Sequence, residues 1–147
     1  MGLDIKTYGK INVPIYASED GYIERVRVSG TGYGKALYLK HNDGYKSVYA
    51  HLNRFHPDIE KFVTEYQYRN EKFIVNLFPE KKFYFKRGEI IGYSGNSGSS
   101  GGPHLHYEIR DDKDNVMNPL NFSFDEIKDN VKPIIKSISL KTLNFNS

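Results

Sequence analysis

An all-β or at least β-rich fold is what this sequence predicts. Three observations lead there: short runs of alternating polar and apolar residues, twelve Tyr and nine Phe among 147 residues, and thirteen Gly with no Trp. Aromatic side chains suit a pleated, half-buried surface, and Gly and Asn supply the tight turns between strands. A hydrophobic content of 38% in 147 residues is enough to close one core, so one main domain is expected.

The first half reads as a meander of antiparallel strands at 13–17, 21–28, 36–41 and 47–51. Turns fall at Glu19-Asp20-Gly21, Ser29-Gly30-Thr31-Gly32 and Asn42-Asp43-Gly44. The last of these is the strongest hairpin signal, because Asn, Asp and Gly tolerate positive φ. In 36–41 the two Leu fall on one face and Tyr38 and Lys40 on the other, the pattern of a half-buried strand. From 55 to 85 the character changes. Ile59, Phe62, Val63 and Tyr66 recur at helical spacing, and Pro57 suits a first turn, so the spacing predicts a helix over about 57–68. A strand at 72–78 is expected to point Phe73, Val75 and Leu77 inward, with Pro79 ending it. Together these form a helix-containing insertion of about 55–85.

A hairpin of 83–86 and 89–94 about Arg87-Gly88 is expected next. A flexible Gly/Ser loop over 94–103 then leads into a strand at 103–110, an Asp-rich turn at 111–114 and a strand at 116–122. The expected division is a domain of 1–124 and a tail of 125–147 that reads as the start of a following domain, with one more strand at 133–140.

With no Cys, a disulfide framework, a Cys-ligated metal and thiol catalysis are excluded, and any metal must rest on His and carboxylate. The formal charge of +3 comes from 21 basic and 18 acidic residues spread along the chain, far from a nucleic-acid footprint. No apolar run approaches the ~18 residues of a membrane span. The first residues show no charged-then-apolar leader, which leaves a cytoplasmic chain or one whose N-terminal part is missing.

His104-Leu105-His106 is the informative tripeptide. Two residues apart in a strand, both imidazoles leave one face about 7 Å apart at the backbone, so a metal can take one and leave the other beside its water. The plain alternative is that His104, His106, Glu108 and Arg110 are the wet face of an amphipathic strand. Tyr49-Ala50-His51 places a further His near the end of another strand, with Tyr49 read on the same face. Asp4, in Gly2-Leu3-Asp4-Ile5, passes for a turn carboxylate when taken alone.

Several ordered motifs change that balance: Gly2-Leu3-Asp4-Ile5, Val13-Pro14-Ile15-Tyr16-Ala17, Gly32-Tyr33-Gly34, Tyr49-Ala50-His51-Leu52, Lys86-Arg87-Gly88-Glu89-Ile90-Ile91-Gly92, Gly102-Pro103-His104-Leu105-His106-Tyr107-Glu108 and Asn118-Pro119-Leu120. On these the chain, over about 2–122, resembles the lysostaphin-type zinc endopeptidases, or LytM domains, which cut peptide bonds in bacterial peptidoglycan. The resemblance implies an open, barrel-like antiparallel sandwich. It also implies Zn2+ held by a His, an Asp four residues later and the second His of the pair. Asp4 and His106 take the metal-ligand positions, and His104 and His51 the catalytic ones flanking the reacting carbonyl. The first His would stand immediately before Met1 and is not in the sequence; a truncated chain with an incomplete site is the expectation. A peptidoglycan peptide is the implied partner, and the cell envelope, periplasmic or secreted, the implied location. Tyr49, with Tyr16 and Tyr33, is a candidate substrate-binding residue, against the alternative that these aromatics are core. Glu108 is either a partner to a ligand imidazole or an exposed carboxylate. A non-catalytic envelope module that binds peptidoglycan or activates a partner hydrolase is the rival reading. A biotinyl- or lipoyl-type carrier is disfavoured, for want of a Lys in the tight hairpin such a carrier modifies.

Overall fold

A computed structural model describes residues 2–122. Its elements are β1 (Leu3–Lys6), β2 (Pro14–Tyr16), β3 (Gly21–Val28), β4 (Lys35–His41), β5 (Lys46–Phe55), α1 (Pro57–Asn70), β6 (Val75–Leu77), β7 (Tyr84–Phe85), β8 (Ile90–Ser94), β9 (His104–Arg110) and β10 (Val116–Met117), followed by a single 3-10 turn at Pro119–Asn121. The main path of the sheet runs β1-β9-β5-β4-β3-β6. β10 pairs with β9, β7 with β3, and β8 with both β2 and β5. Each of these pairings is antiparallel, so the β-rich antiparallel fold predicted from the alternating pattern is the one observed.

The core lies on one face of this sheet, where Ile23, Val26, Leu37, Leu39, Tyr49, Leu52 and Phe55 meet Ile91 of β8 and Ile59 and Val63 of α1. α1 starts at Pro57, with the His56 side chain accepting from the Asp58 N–H, and ends where Glu71 turns left-handed. Ile59 and Val63, one turn apart, are the residues it buries, while Tyr66 stays exposed. Glu60 fastens the helix to the sheet by accepting from Phe55 N at 2.7 Å and pairing with Lys35 at 2.8 Å.

Four expectations are corrected. β4 is buried on both faces: Tyr38 is 3% exposed, against Val48 and Ala50 and beneath the guanidinium groups of Arg25 (4.7 Å to the ring centroid) and Arg110 (5.7 Å). A central strand has neighbours that roof its second face, which an isolated alternation does not reveal. The strand expected at 72–78 pairs only over Val75–Leu77, because its register on β3 ends at Val28↔Val75; Phe73 lies past that end and is exposed. The segments about Arg87-Gly88 do not form a hairpin with each other. β7 pairs with β3 and β8 with β2 and β5, because the turn between them is tied elsewhere: Gly88, at φ 83°, donates to Ala17 O, and Arg87 N donates to Asp20 Oδ1. Finally, the strand expected at 116–122 pairs over two residues before Pro119 opens the 3-10 turn, whose first N–H is taken by the Asn118 side chain. The tail of 125–147 and its strand at 133–140 lie outside the described residues. Among those residues no helix is long and apolar enough to cross a membrane.

Candidate active site

β9 lies between β1 and β5, and this placement assembles the site. Asp4 stands directly opposite His106 across the β1–β9 ladder, and Ala50 stands opposite His106 on the other side. Residues 104, 106 and 108 share one face, while Leu105, Tyr107 and Ile109 enter the core. Asp4 Oδ1 lies 2.7 Å from His106 Nδ1 and 3.6 Å from His104 Nε2.

His51 reaches this group by a β-bulge. Strict alternation puts it on the core face with Tyr49. In the ladder, however, Leu37 pairs with Tyr49 and Lys35 with Leu52, so a two-residue step on β4 faces a three-residue step on β5. His51 absorbs the extra residue at φ 60°, a conformation that costs a non-glycine roughly 1–3 kcal/mol. Its N–H donates to Tyr33 O at 2.9 Å. Tyr49 and Leu52 both stay in the core, and the His51 ring swings to 4.7 Å from that of His104 and 5.9 Å from that of His106, centroid to centroid. Asp4, His51, His104 and His106 are thus brought together.

Tyr49 is not among them, and its reading as a groove-lining residue is corrected. It is 1% exposed, its ring lies on the opposite face against Tyr107, and its hydroxyl accepts from Ser18 N and from Ser47 Oγ, each at 2.9 Å. The bulge that turns His51 outward leaves Tyr49 facing in. Tyr16 is exposed on β2, and Tyr33 lies beside the imidazoles, its ring centroid 5.3 Å from that of His106.

The loop expected to be flexible is braced over its first half. Ser97 Oγ accepts from Lys35 N and donates to Leu52 O, while Ser99 N donates to Gly32 O and Gly32 N to Ser99 Oγ. Gly34 and Gly98 both take positive φ and touch: a Cβ on Gly98 would stand 2.3 Å from Gly32 O and from Gly34 N. The Gly32-Tyr33-Gly34 and Ser97-Gly98 motifs are therefore two halves of one contact, which fixes the carbonyl of Ser97.

That carbonyl accepts from His51 Nδ1 at 2.8 Å, and Gly102 O accepts from His104 Nδ1 at 2.8 Å. Both rings therefore turn Nε2 toward the cleft. Burial pushes the His51 pKa down, against its bond to Ser97, and the neighbouring His104 and His106 push the same way. His106 is the opposite case. Its Nε2 bonds Glu108 Oε1 at 2.9 Å, and this bond, with that to Asp4, raises its pKa over the cost of burial.

Glu108 is not an exposed carboxylate: it is 4% exposed. Burial opposes its charge, but hydrogen bonds from His106, Tyr33 and Arg110 outweigh burial and hold the carboxyl at about 2, below its ordinary 4.5. Tyr33, whose hydroxyl donates to Glu108 Oε1, is pushed up to about 12 by burial and by that carboxylate. A depressed carboxyl stabilises the fold above its unfolded pKa, and that contribution is lost as pH falls through the folded one. Acid titration followed by circular dichroism is therefore expected to show stability falling between pH 4.5 and about 2. Glu108→Gln is expected to be less stable at pH 7 and flatter across that window.

The donor set fits zinc in part. A carboxylate oxygen and an imidazole nitrogen whose other nitrogen is held by a carboxylate are apt ligands, and Asp4 with His106 supplies such a pair. A catalytic zinc takes three protein ligands, and among the described residues no group of three or more His, Cys, Asp or Glu is arranged to hold a metal.

The sequence profile of peptidase family M23 matches residues 1–68 and 80–119. The DD-carboxypeptidase/endopeptidase Mpg of Neisseria meningitidis serogroup B is 34% identical over 97 residues, covering 66% of this chain and 17% of that protein. The peptidoglycan DD-endopeptidase ShyB of Vibrio cholerae is 30% identical over 108 residues, 74% of this chain and 20% of that protein. The chain thus spans a fifth or less of the length of these two relatives. Among solved structures, a zinc-containing peptidase from Vibrio cholerae superposes with a TM-score of 0.54 at 27% identity, over 74% of this chain and 26% of that one.

Proposed function

The chain belongs to peptidase family M23, and from that premise we propose that it is a zinc-dependent endopeptidase that hydrolyses peptide bonds of bacterial peptidoglycan in the cell envelope. One observation carries the reading: three strands and a bulge converge Asp4, His51, His104 and His106 on one face. The names of the similar proteins favour a peptidoglycan peptide as substrate.

Asp4 and His106 would hold Zn2+ together with a third ligand, proposed to be a His four residues before Asp4. Bound there, the ion would supply a water acidified to a pKa of about 7 and polarisation of the scissile carbonyl. His104 takes the proton of the attacking water at Nε2. Its Nδ1–H stays bonded to Gly102 O throughout, and Asp4, 3.6 Å from Nε2, favours the imidazolium so formed. His51, held neutral by burial and fixed through Nδ1, takes the remaining hydroxyl proton of the tetrahedral adduct at its own Nε2 and, so charged, donates to that oxyanion, while His104 passes its proton to the leaving amine nitrogen as the C–N bond breaks.

The test uses the chain with a histidine placed ahead of Met1, zinc content measured by mass spectrometry, and release of muropeptides from sacculi. Stoichiometric zinc and cleavage are expected. His104→Ala is expected to lower cleavage ~10²–10⁴-fold while sparing most zinc. Loss of zinc in that variant would exchange the assignments of His104 and His106. A folded domain that takes up no metal would favour the non-catalytic envelope module.

A further inference from the structure

The side chains behind His106 take no part in the mechanism above, yet they form a connected polar group on this face of the sheet. We propose that Tyr33, Glu108 and Arg110 form a positioning set that presents Nδ1 of His106 to the metal position beside Asp4. The proposal rests on the zinc reading above.

Glu108 lies two residues from His106 on β9, and its Oε1 bonds His106 Nε2 at 2.9 Å. With the hydrogen kept on Nε2, the nitrogen left to ligate is Nδ1, which stands 2.7 Å from Asp4 Oδ1. A glutamate with free torsions does not fix a ring, but this one is gripped at both oxygens. The Tyr33 hydroxyl donates to Oε1, and Arg110 donates to Oε2 from Nε at 2.8 Å and from a terminal nitrogen at 2.7 Å. Arg110 is anchored in turn by Asp114 at 3.1 Å, and Asp114 and Glu24 both hold Lys46, at 3.3 and 2.9 Å. Charges of alternating sign therefore run from Glu108 through Arg110, Asp114 and Lys46 to Glu24. Tyr33 acts twice on the site: its hydroxyl sets Glu108, and its carbonyl takes the N–H of His51 at the bulge. A buried Glu–Arg pair serving stability alone is poorly motivated, since apolar residues of similar volume do as well or better. Nor does such a pair account for His106 and Tyr33 meeting on the same oxygen.

The experiment uses the full chain with a histidine placed ahead of Met1, labelled with 15N-histidine and read by long-range 1H–15N correlation without metal and with Zn2+. Zinc affinity is measured by chelator competition, and thermal midpoints are recorded. The variants are Tyr33→Phe, Glu108→Gln and Glu108→Ala. Without metal, the His106 Nε2–H is expected as a slowly exchanging resonance. On adding zinc, His106 Nδ1 is expected to shift while Nε2 keeps its proton. Glu108→Ala is expected to lose that resonance and weaken zinc binding about 10- to 100-fold. Glu108→Gln, whose amide oxygen still accepts from Nε2–H, is expected to recover part of the loss. Tyr33→Phe is expected to weaken zinc several-fold with its thermal midpoint nearly unchanged, and it decides the matter if Glu108→Ala does not fold. A zinc-induced shift at Nε2 of His106, or unaltered zinc affinity in Tyr33→Phe and Glu108→Ala, overturns the proposal. If zinc shifts no histidine nitrogen of that chain before any of these substitutions, the zinc reading fails. The Nε2–H resonance and its loss in Glu108→Ala then still report whether Glu108 fixes the ring.

Discussion

Replacing His106 with Ala is expected to remove zinc binding and bring peptidoglycan cleavage to background, the largest functional loss of any single substitution in the site. In the proposed site His106 is one of two ligands that residues 2–122 contribute, and its loss leaves Asp4 with only the added histidine. The drop in affinity should therefore exceed the ~10- to 100-fold expected when only an outer partner is removed. The fold should survive. The His106 side chain sits on the open face at 20% exposure, and Glu108 keeps Tyr33 on one oxygen and Arg110 on the other. The check is zinc content beside the thermal midpoint: metal lost with the midpoint within a few degrees is the expected pair of results. If both are lost together, His106 is a structural residue.

The second large effect is on stability. Gly98→Ala puts a Cβ 2.3 Å from backbone atoms of Gly32 and Gly34, and φ at Gly98 is 73°. Backbone strain and overpacking each cost roughly 1–3 kcal/mol, so about 2–6 kcal/mol of destabilisation is expected by urea unfolding. The damage should also reach the site, because the same contact fixes the Ser97 carbonyl that orients His51. Gly101→Ala is the control. A Cβ there meets nothing within 4 Å, so a change within about 0.5 kcal/mol is expected.

The elements that could be read from the sequence are those whose signal is local. The period-2 spacing of His104 and His106 places both rings on one face whatever their neighbours. Ile59 and Val63, with Pro57, define α1 for the same reason. What could not be read depends on partners distant in the chain. The bulge at His51 shows only in the mismatch of β4 and β5, so alternation assigned His51 and Tyr49 to one face when they occupy two. Glu108 shares the face of His104 and His106 by spacing, but its burial follows from β9 lying between β1 and β5 with Tyr33 and Arg110 closing over it. The 86–89 turn looks like a hairpin from its Gly alone, and Ala17, some seventy residues away, decides otherwise. Gly32-Tyr33-Gly34 was visible as a motif and 94–103 as a Gly/Ser loop; that each carries glycine so that the other can touch it was not.

The central claim is that a metal sits between Asp4 and His106. Anomalous diffraction at the zinc edge, from crystals of the chain with a histidine ahead of Met1 grown with zinc, tests it most directly. The account predicts one peak about 2.0–2.2 Å from an Asp4 carboxylate oxygen and from His106 Nδ1. An empty map at that position, or a peak bound by His51 and His104 instead, would contradict it.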